Sequence, residues 1–150
     1  MEYVKFNLQN MEHFLDSKDY PNATVCSQHS LAIFLEKPMS LISRKSILFS
    51  KRLHCPPNIG YVEDAIINKY APRAWKIICD ETESLAHFCT THPTGTYRVV
   101  TRWPDENGHR VYHATIVSNG RNLDWFSPGF GREMMEKSLV YSYYHKPDPA

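Results

Sequence analysis

The chain has 150 residues, a formal net charge of +1 and 42% hydrophobic content. That length suits one domain with a proper core, since a chain of this size buries about 70% of its unfolded surface. Near-neutral charge argues against a dedicated nucleic-acid or membrane-surface binder, and no run approaches the roughly 20 apolar residues of a membrane span.

The stretch Met1-Glu2-Tyr3-Val4-Lys5-Phe6-Asn7 lacks the basic-then-apolar form of a signal peptide. The expected location is the cytoplasm, or outside the cell by secretion or injection without a classical signal. A helical pattern begins near Asn10, with Met11, Phe14 and Leu15 as its apolar positions. Asp19-Tyr20-Pro21-Asn22 reads as a turn. Asn22 or Thr24 can cap a helix that runs from Val25 to Glu36 and stops before Pro38. Its apolar residues, Leu31 to Leu35, are nearly continuous, which predicts a central helix buried all round. Ser27 and Gln28 keep its first turn polar, and that turn is expected at a surface.

Residues 40–53 form a second predicted helix, basic on one face through Arg44, Lys45, Lys51 and Arg52, and broken by Cys55-Pro56-Pro57-Asn58. With His54 these make a modest patch, read as a solvated face. A third helix is expected over Gly60 to Tyr70, with Val62, Ala65, Ile66 and Ile67 inward. Ala74 to Cys79 reads as a short strand and Ser84 to Thr91 as a short helix. The last third changes character. Thr96 to Trp103 and Arg110 to Val117 alternate and are rich in β-formers. Pro104 to Gly108 is a hairpin turn, and Ser118-Asn119-Gly120 is a second, leading into a strand over Asn122 to Phe126. After Pro128-Gly129-Phe130-Gly131 a helix or strand continues to Tyr144, and His145 to Ala150 reads as a frayed tail. Trp75, Tyr97, Trp103, Tyr112 and Phe126 are expected in the core. Tyr141, Tyr143 and Tyr144 suit either a sheet edge or a partner surface. A helical first part and a meander second part make an α+β pattern.

Four cysteines, Cys26, Cys55, Cys79 and Cys89, show no framework spacing, so free thiols are expected. Cys26 stands out because it opens a helix, where the macrodipole favours thiolate. His113 lies on an alternating strand whose Val111, His113 and Thr115 share one face. Counting outward from Asn119-Gly120 pairs His113 with a residue near 126, so Asp124 falls on the diagonal, within reach of an imidazole. A thiol, an imidazole and an orienting carboxylate, in that chain order, are the parts of a cysteine nucleophile with its base. His29, one turn beyond Cys26, is a second candidate base, placed below His113 because a same-helix pair has little freedom.

The order Cys-on-helix, His-on-strand, Asp-on-next-strand resembles the papain-like cysteine peptidase superfamily, which includes leader peptidases, papain-fold toxin domains and effector glutamine deamidases. The matching segments are Thr24-Val25-Cys26-Ser27, Tyr112-His113-Ala114-Thr115 and Asn122-Leu123-Asp124-Trp125, with Gly95 to Val100 resembling the preceding strand. The resemblance implies a single papain-like domain over 1–150, with helices over about 1–95 and an antiparallel sheet over about 96–144. It implies Cys26 as nucleophile, His113 as base and Asp124 as orienter, with Trp125 screening the acid. The family often places a glutamine oxyanion donor about six residues before the cysteine. Tyr20 stands there, and Asn22, Gln9 or Asn10 are the nearby candidates.

The implied activity is hydrolysis or deamidation of an amide bond in a protein or peptide, without cofactor. Two other readings use the same residues. One is a non-catalytic papain-like binding module. The other is a zinc domain drawing on Cys26, His29, Cys89 and His92, with His87 as an extra candidate. Oligomeric state is left open by the sequence.

Overall fold

The computed structural model describes residues 25–57, 59–104, 110–123 and 136–146. The first predicted helix, its following turn, the 105–109 loop and the Pro128 turn lie outside them, as do Thr24, Phe126 and the last four residues. The chain divides into two compact units, Met1–Ala74 and Trp75–Ala150. The sheet half therefore begins at Trp75, ahead of the expected position near residue 96, because the short strand and helix after it belong with the sheet. Mixed helices and an antiparallel sheet give the expected α+β class.

The first unit contains α1 (Val25–Leu35), α2 (Met39–Leu53) and α3 (Gly60–Tyr70). α1 is buried nearly all round, with Leu31, Ala32, Phe34 and Leu35 in the core, as its continuous apolar run requires. It touches both α2 and α3, whose inward residues are Met39 and Ile42 on one and Val62, Ile66 and Ile67 on the other. The surface position expected for the first turn of α1 is not what the structure has: Ser27, Gln28, His29 and Ser30 are all buried. Polar burial is tolerated there because the hydroxyls are spent: Ser27 Oγ donates to Glu63 Oε2 at 2.7 Å and Ser30 Oγ to the Ser27 carbonyl at 3.0 Å.

α1 and α2 end in the same way. Glu36 and His54 adopt left-handed backbone, φ 54° and 53°. The amides of Glu36 and Lys37 bond back to Ile33 and Ala32, and those of His54 and Cys55 to Lys51 and Ser50. This is the Schellman termination, and the proline that follows each time, Pro38 or Pro56, prevents further helix.

The second unit contains β1 (Trp75–Ile78), α4 (Leu85–Thr91), β2 (Thr96–Pro104), β3 (Arg110–Ser118), β4 (Arg121–Asn122) and β5 (Leu139–His145). All pairings are antiparallel, in the order β1-β5-β2-β3-β4. β5 is thus an interior strand, which resolves the choice left open for the late tyrosines. Tyr143 packs on the core and Tyr144 is buried. His145, expected in a frayed tail, pairs with both Trp75 and Tyr97. Register shifts between Val100 and Thr101, where β5 spends Tyr141 as an extra residue.

Ser84 caps α4 by accepting from the His87 amide. α4 lays Leu85 and Phe88 on the sheet face built from Tyr97, Val99, Val117 and Val140. Two aromatics expected in the core are outside it: Trp75 is 45% and Tyr112 51% exposed. Trp75 is exposed because β1 is an edge strand. Tyr112 instead accepts a hydrogen bond from Arg102 Nη1 at 2.9 Å.

The Asn119–Gly120 turn has positive φ at both residues, 50° and 76°, the backbone of a two-residue hairpin. It is tied to the start of β2: the Asn119 amide donates to the Gly95 carbonyl and the Gly95 amide to Asn119 Oδ1. A Cβ on Gly120 would stand 3.0 Å from the Cys89 carbonyl oxygen and 3.4 Å from Pro93 Cα. Both obstacles are backbone and cannot swing away. Gly120→Ala is therefore expected to lower stability by about 2–3 kcal/mol, read from urea unfolding. A change below about 0.5 kcal/mol would show that the turn relaxes freely.

Candidate functional site

Cys26 is the second residue of α1. His113 lies on β3 directly opposite Thr101 of β2. It is half-buried, on the face that also carries Thr115 and Val117. Asp124, Asn22, Gln9 and Asn10 lie outside the described residues. The hairpin register that bears on Asp124 is described at its base, with Val117 opposite Asn122 and Ser118 opposite Arg121. That is the register obtained by counting from Asn119-Gly120. Thr115 Oγ1 donates to Asn122 Oδ1 at 2.7 Å and the Leu123 amide to the Ile116 carbonyl, so the return strand is held firmly as far as Leu123.

His29, the second candidate base, is buried within α1. Burial lowers its pKa from 6.5 to about 4, because the charged imidazolium loses its hydration. It is neutral at physiological pH and a weak proton acceptor there.

The other described thiols differ from a helix-start cysteine. Cys55, Cys79 and Cys89 are free and half-buried. Burial pushes the Cys79 thiol up, with the nearby carboxylates of Glu83 and Asp80 adding to it. Burial likewise raises Cys89, with Glu136 adding to it. Both side chains pack against the sheet core.

Two residues of the zinc alternative, Cys89 and His92, lie in the same region. Cys89 faces the core, and His92 is stacked on Phe88 at a ring separation of 3.8 Å. Its Nδ1 lies 3.0 Å from the Phe88 carbonyl oxygen and 2.9 Å from Thr91 Oγ1. His87 Nδ1 is 2.6 Å from Glu83 Oε2. Among the described residues no group of three or more His, Cys, Asp or Glu side chains is arranged to hold a metal ion, and no helix is long and apolar enough to cross a membrane.

The sequence reading missed a ring cluster on the core face of the sheet. His145 stacks on Tyr97 at 4.5 Å and meets the edge of Trp75 at 4.6 Å, while Tyr143 meets Phe88 at 5.0 Å. Its signal was the spacing of Tyr143 and His145, which reads as a strand face only once β5 is known to be internal, whereas Tyr141, at the bulge, packs with Tyr112 on the other face. Comparison with known protein families, curated proteins and solved structures gives no match.

Proposed function

We propose that the protein is a papain-like thiol hydrolase that cleaves or deamidates an amide bond of a protein or peptide. Cys26 is the nucleophile, His113 carries the proton and Asp124 orients the imidazole. The observation that carries this reading is the placement of His113. It sits half-buried on an antiparallel strand, one tight Asn-Gly turn from the segment leading to Asp124, while Cys26 stands in the first turn of a buried helix.

In the reaction, the Cys26 thiolate adds to the carbonyl carbon and the oxygen takes up the negative charge. Asn22 or Gln9, with the Cys26 amide, are the candidate donors to that oxygen. The His113 imidazolium gives its proton to the leaving nitrogen as the C–N bond breaks, leaving a thioester. Water, deprotonated by His113, then releases the acid and restores the thiol. A backbone amide makes the enzyme a protease. A glutamine side chain makes it a deamidase, and an amine in place of water makes it a transglutaminase.

The test is selective alkylation. Iodoacetamide near pH 6 is expected to label Cys26 well ahead of Cys79 and Cys89, whose thiols are raised by burial, and ahead of Cys55. His113→Ala is expected to remove that advantage at pH 6 and to leave it intact near pH 9, because the thiolate then forms without a partner. Equal, slow labelling of all four cysteines would sink the enzyme reading and leave the binding module.

A further inference from the structure

β1 is a terminal strand of the sheet, yet its four residues Trp75-Lys76-Ile77-Ile78 are all exposed. Three are large and apolar, at 45%, 37% and 63% exposure for Trp75, Ile77 and Ile78. Among the described residues no strand pairs with its outer side. An exposed apolar edge is a template for another strand, and the charge that would blunt it in the ordinary way is here Lys76. We propose that β1 is a dimer interface, pairing antiparallel with β1 of a second copy about a two-fold axis through Ile78.

Hydrogen-bond parity limits how two such edges can meet. The Cys79 amide donates to the Tyr141 carbonyl, and the ladder sets Ile78 opposite Ser142 and Ile77 opposite Tyr143. The backbone groups of 75, 77 and 79 therefore point toward β5, and those of the even-numbered residues, Ile78 among them, point outward. Two copies joined by this edge must place even residues opposite even ones. Three of the symmetric registers that meet this condition are centred on Lys76, Ile77 or Ile78. The first opposes two lysine ammonium groups. The second sets Lys76 against Ile78. The third sets Lys76 opposite Asp80 of the second copy, twice by symmetry, and the apolar Ile77 opposite Cys79.

Opposite charges facing across strands stabilise pairing and like charges oppose it, so charge selects the third register. That register also covers Ile78, the most exposed apolar side chain of the strand. The edge is self-complementary, with a cation near one end, a carboxylate near the other and apolar residues between. This is the pattern of an isologous contact and is what commits it to a second copy of the chain. The contact is small, so the dimer is a weak one, with Kd in the micromolar range or above.

Sedimentation of the full chain from about 1 μM to 1 mM is expected to show a monomer–dimer equilibrium. Ile78→Lys is expected to weaken it at least about tenfold. Lys76→Glu and Asp80→Lys are each expected to weaken it, and the double exchange to restore it. Because Asp80 also accepts from the Thr82 hydroxyl, a second measurement stands apart from the charge pair. Ile78→Cys is expected to form a disulfide with its own copy under mild oxidation, since hydrogen-bonded residues opposite one another lie about 5.5 Å apart at Cα. Peptide mapping identifies the 78–78 bond. A monomer at every concentration, or a dimer indifferent to both Ile78→Lys and the charge exchange, would overturn the proposal.

Discussion

Phe88→Ala is expected to lower unfolding stability by about 3–5 kcal/mol, the largest effect of any single truncation in the sheet half. Phe88 is fully buried. Its ring stacks on His92 at 3.8 Å and meets Tyr143 at 5.0 Å and Tyr97 at 5.5 Å, both edge to face. Aromatic pairs in such geometries each add about 0.5–1.5 kcal/mol to the area term. Removing the ring leaves a cavity walled by strand residues that cannot close in, because Tyr97 and Val99 are fixed by ladder bonds on both sides. Against a total stability of about 5–15 kcal/mol this is a large fraction. Urea unfolding measures it, and Phe88→Leu should recover most of the loss. The same cavity hydrates the Cys89 and Cys79 thiols, which pack on this cluster, so both should alkylate faster in Phe88→Ala. A loss under about 1 kcal/mol would mean that α4 does not hold the face of the sheet.

The protein is expected to lose stability between pH 6.5 and 4 through His29. The folded-state pKa is lowered to about 4 by burial, while the unfolded chain has the ordinary value near 6.5. Between those two values the unfolded form binds a proton that the folded form does not, so stability rises with pH across the window. The contribution is complete above about 6.5 and disappears as pH falls toward 4. The loss relative to neutral pH is about 2 kcal/mol at pH 5 and about 3 kcal/mol at the acid limit. For a chain of this length that is a drop in Tm of roughly 4–8 °C between pH 7 and 5. Carboxylates titrate in the same range, so the informative quantity is the difference between wild type and His29→Gln. It should narrow or change sign as the pH falls from 7 to 5, because the variant has nothing to protonate. A difference that does not vary with pH would refute the assignment.

Much of the architecture was legible locally. α3 spans Gly60–Tyr70 as its pattern demands, and the Pro38 and Pro56 stops fall where they should. The two-residue Asn-Gly loop fixes the β3–β4 register without any tertiary information. What was hidden is non-local. Nothing in Trp75-Lys76-Ile77-Ile78 says that its partner is a strand more than sixty residues later, so Trp75 looked like core and the sheet seemed to begin near residue 96. The buried polar turn of α1 was hidden for the same reason, since Ser27 is satisfied by Glu63 on another helix. Of the site, the strand position and face of His113 were readable from alternation alone. Its relation to Cys26 depends on how separate segments come together, which no local pattern encodes.

The position of β5 also sets an order of events. β2, β3 and β4 follow one another closely in sequence and can pair as soon as they exist. β5 must enter between β1 and β2, bonding to both, and only then is β1 attached to the sheet. Closing that long loop is costly before its contacts form. On a ribosome, the sheet therefore stays open until residues 139–145 have emerged, and the apolar β1 spends that interval unattached. Release of a chain stopped short of Leu139 would leave a three-stranded meander and a loose Trp-Lys-Ile-Ile segment, the species most exposed to chaperones and to aggregation.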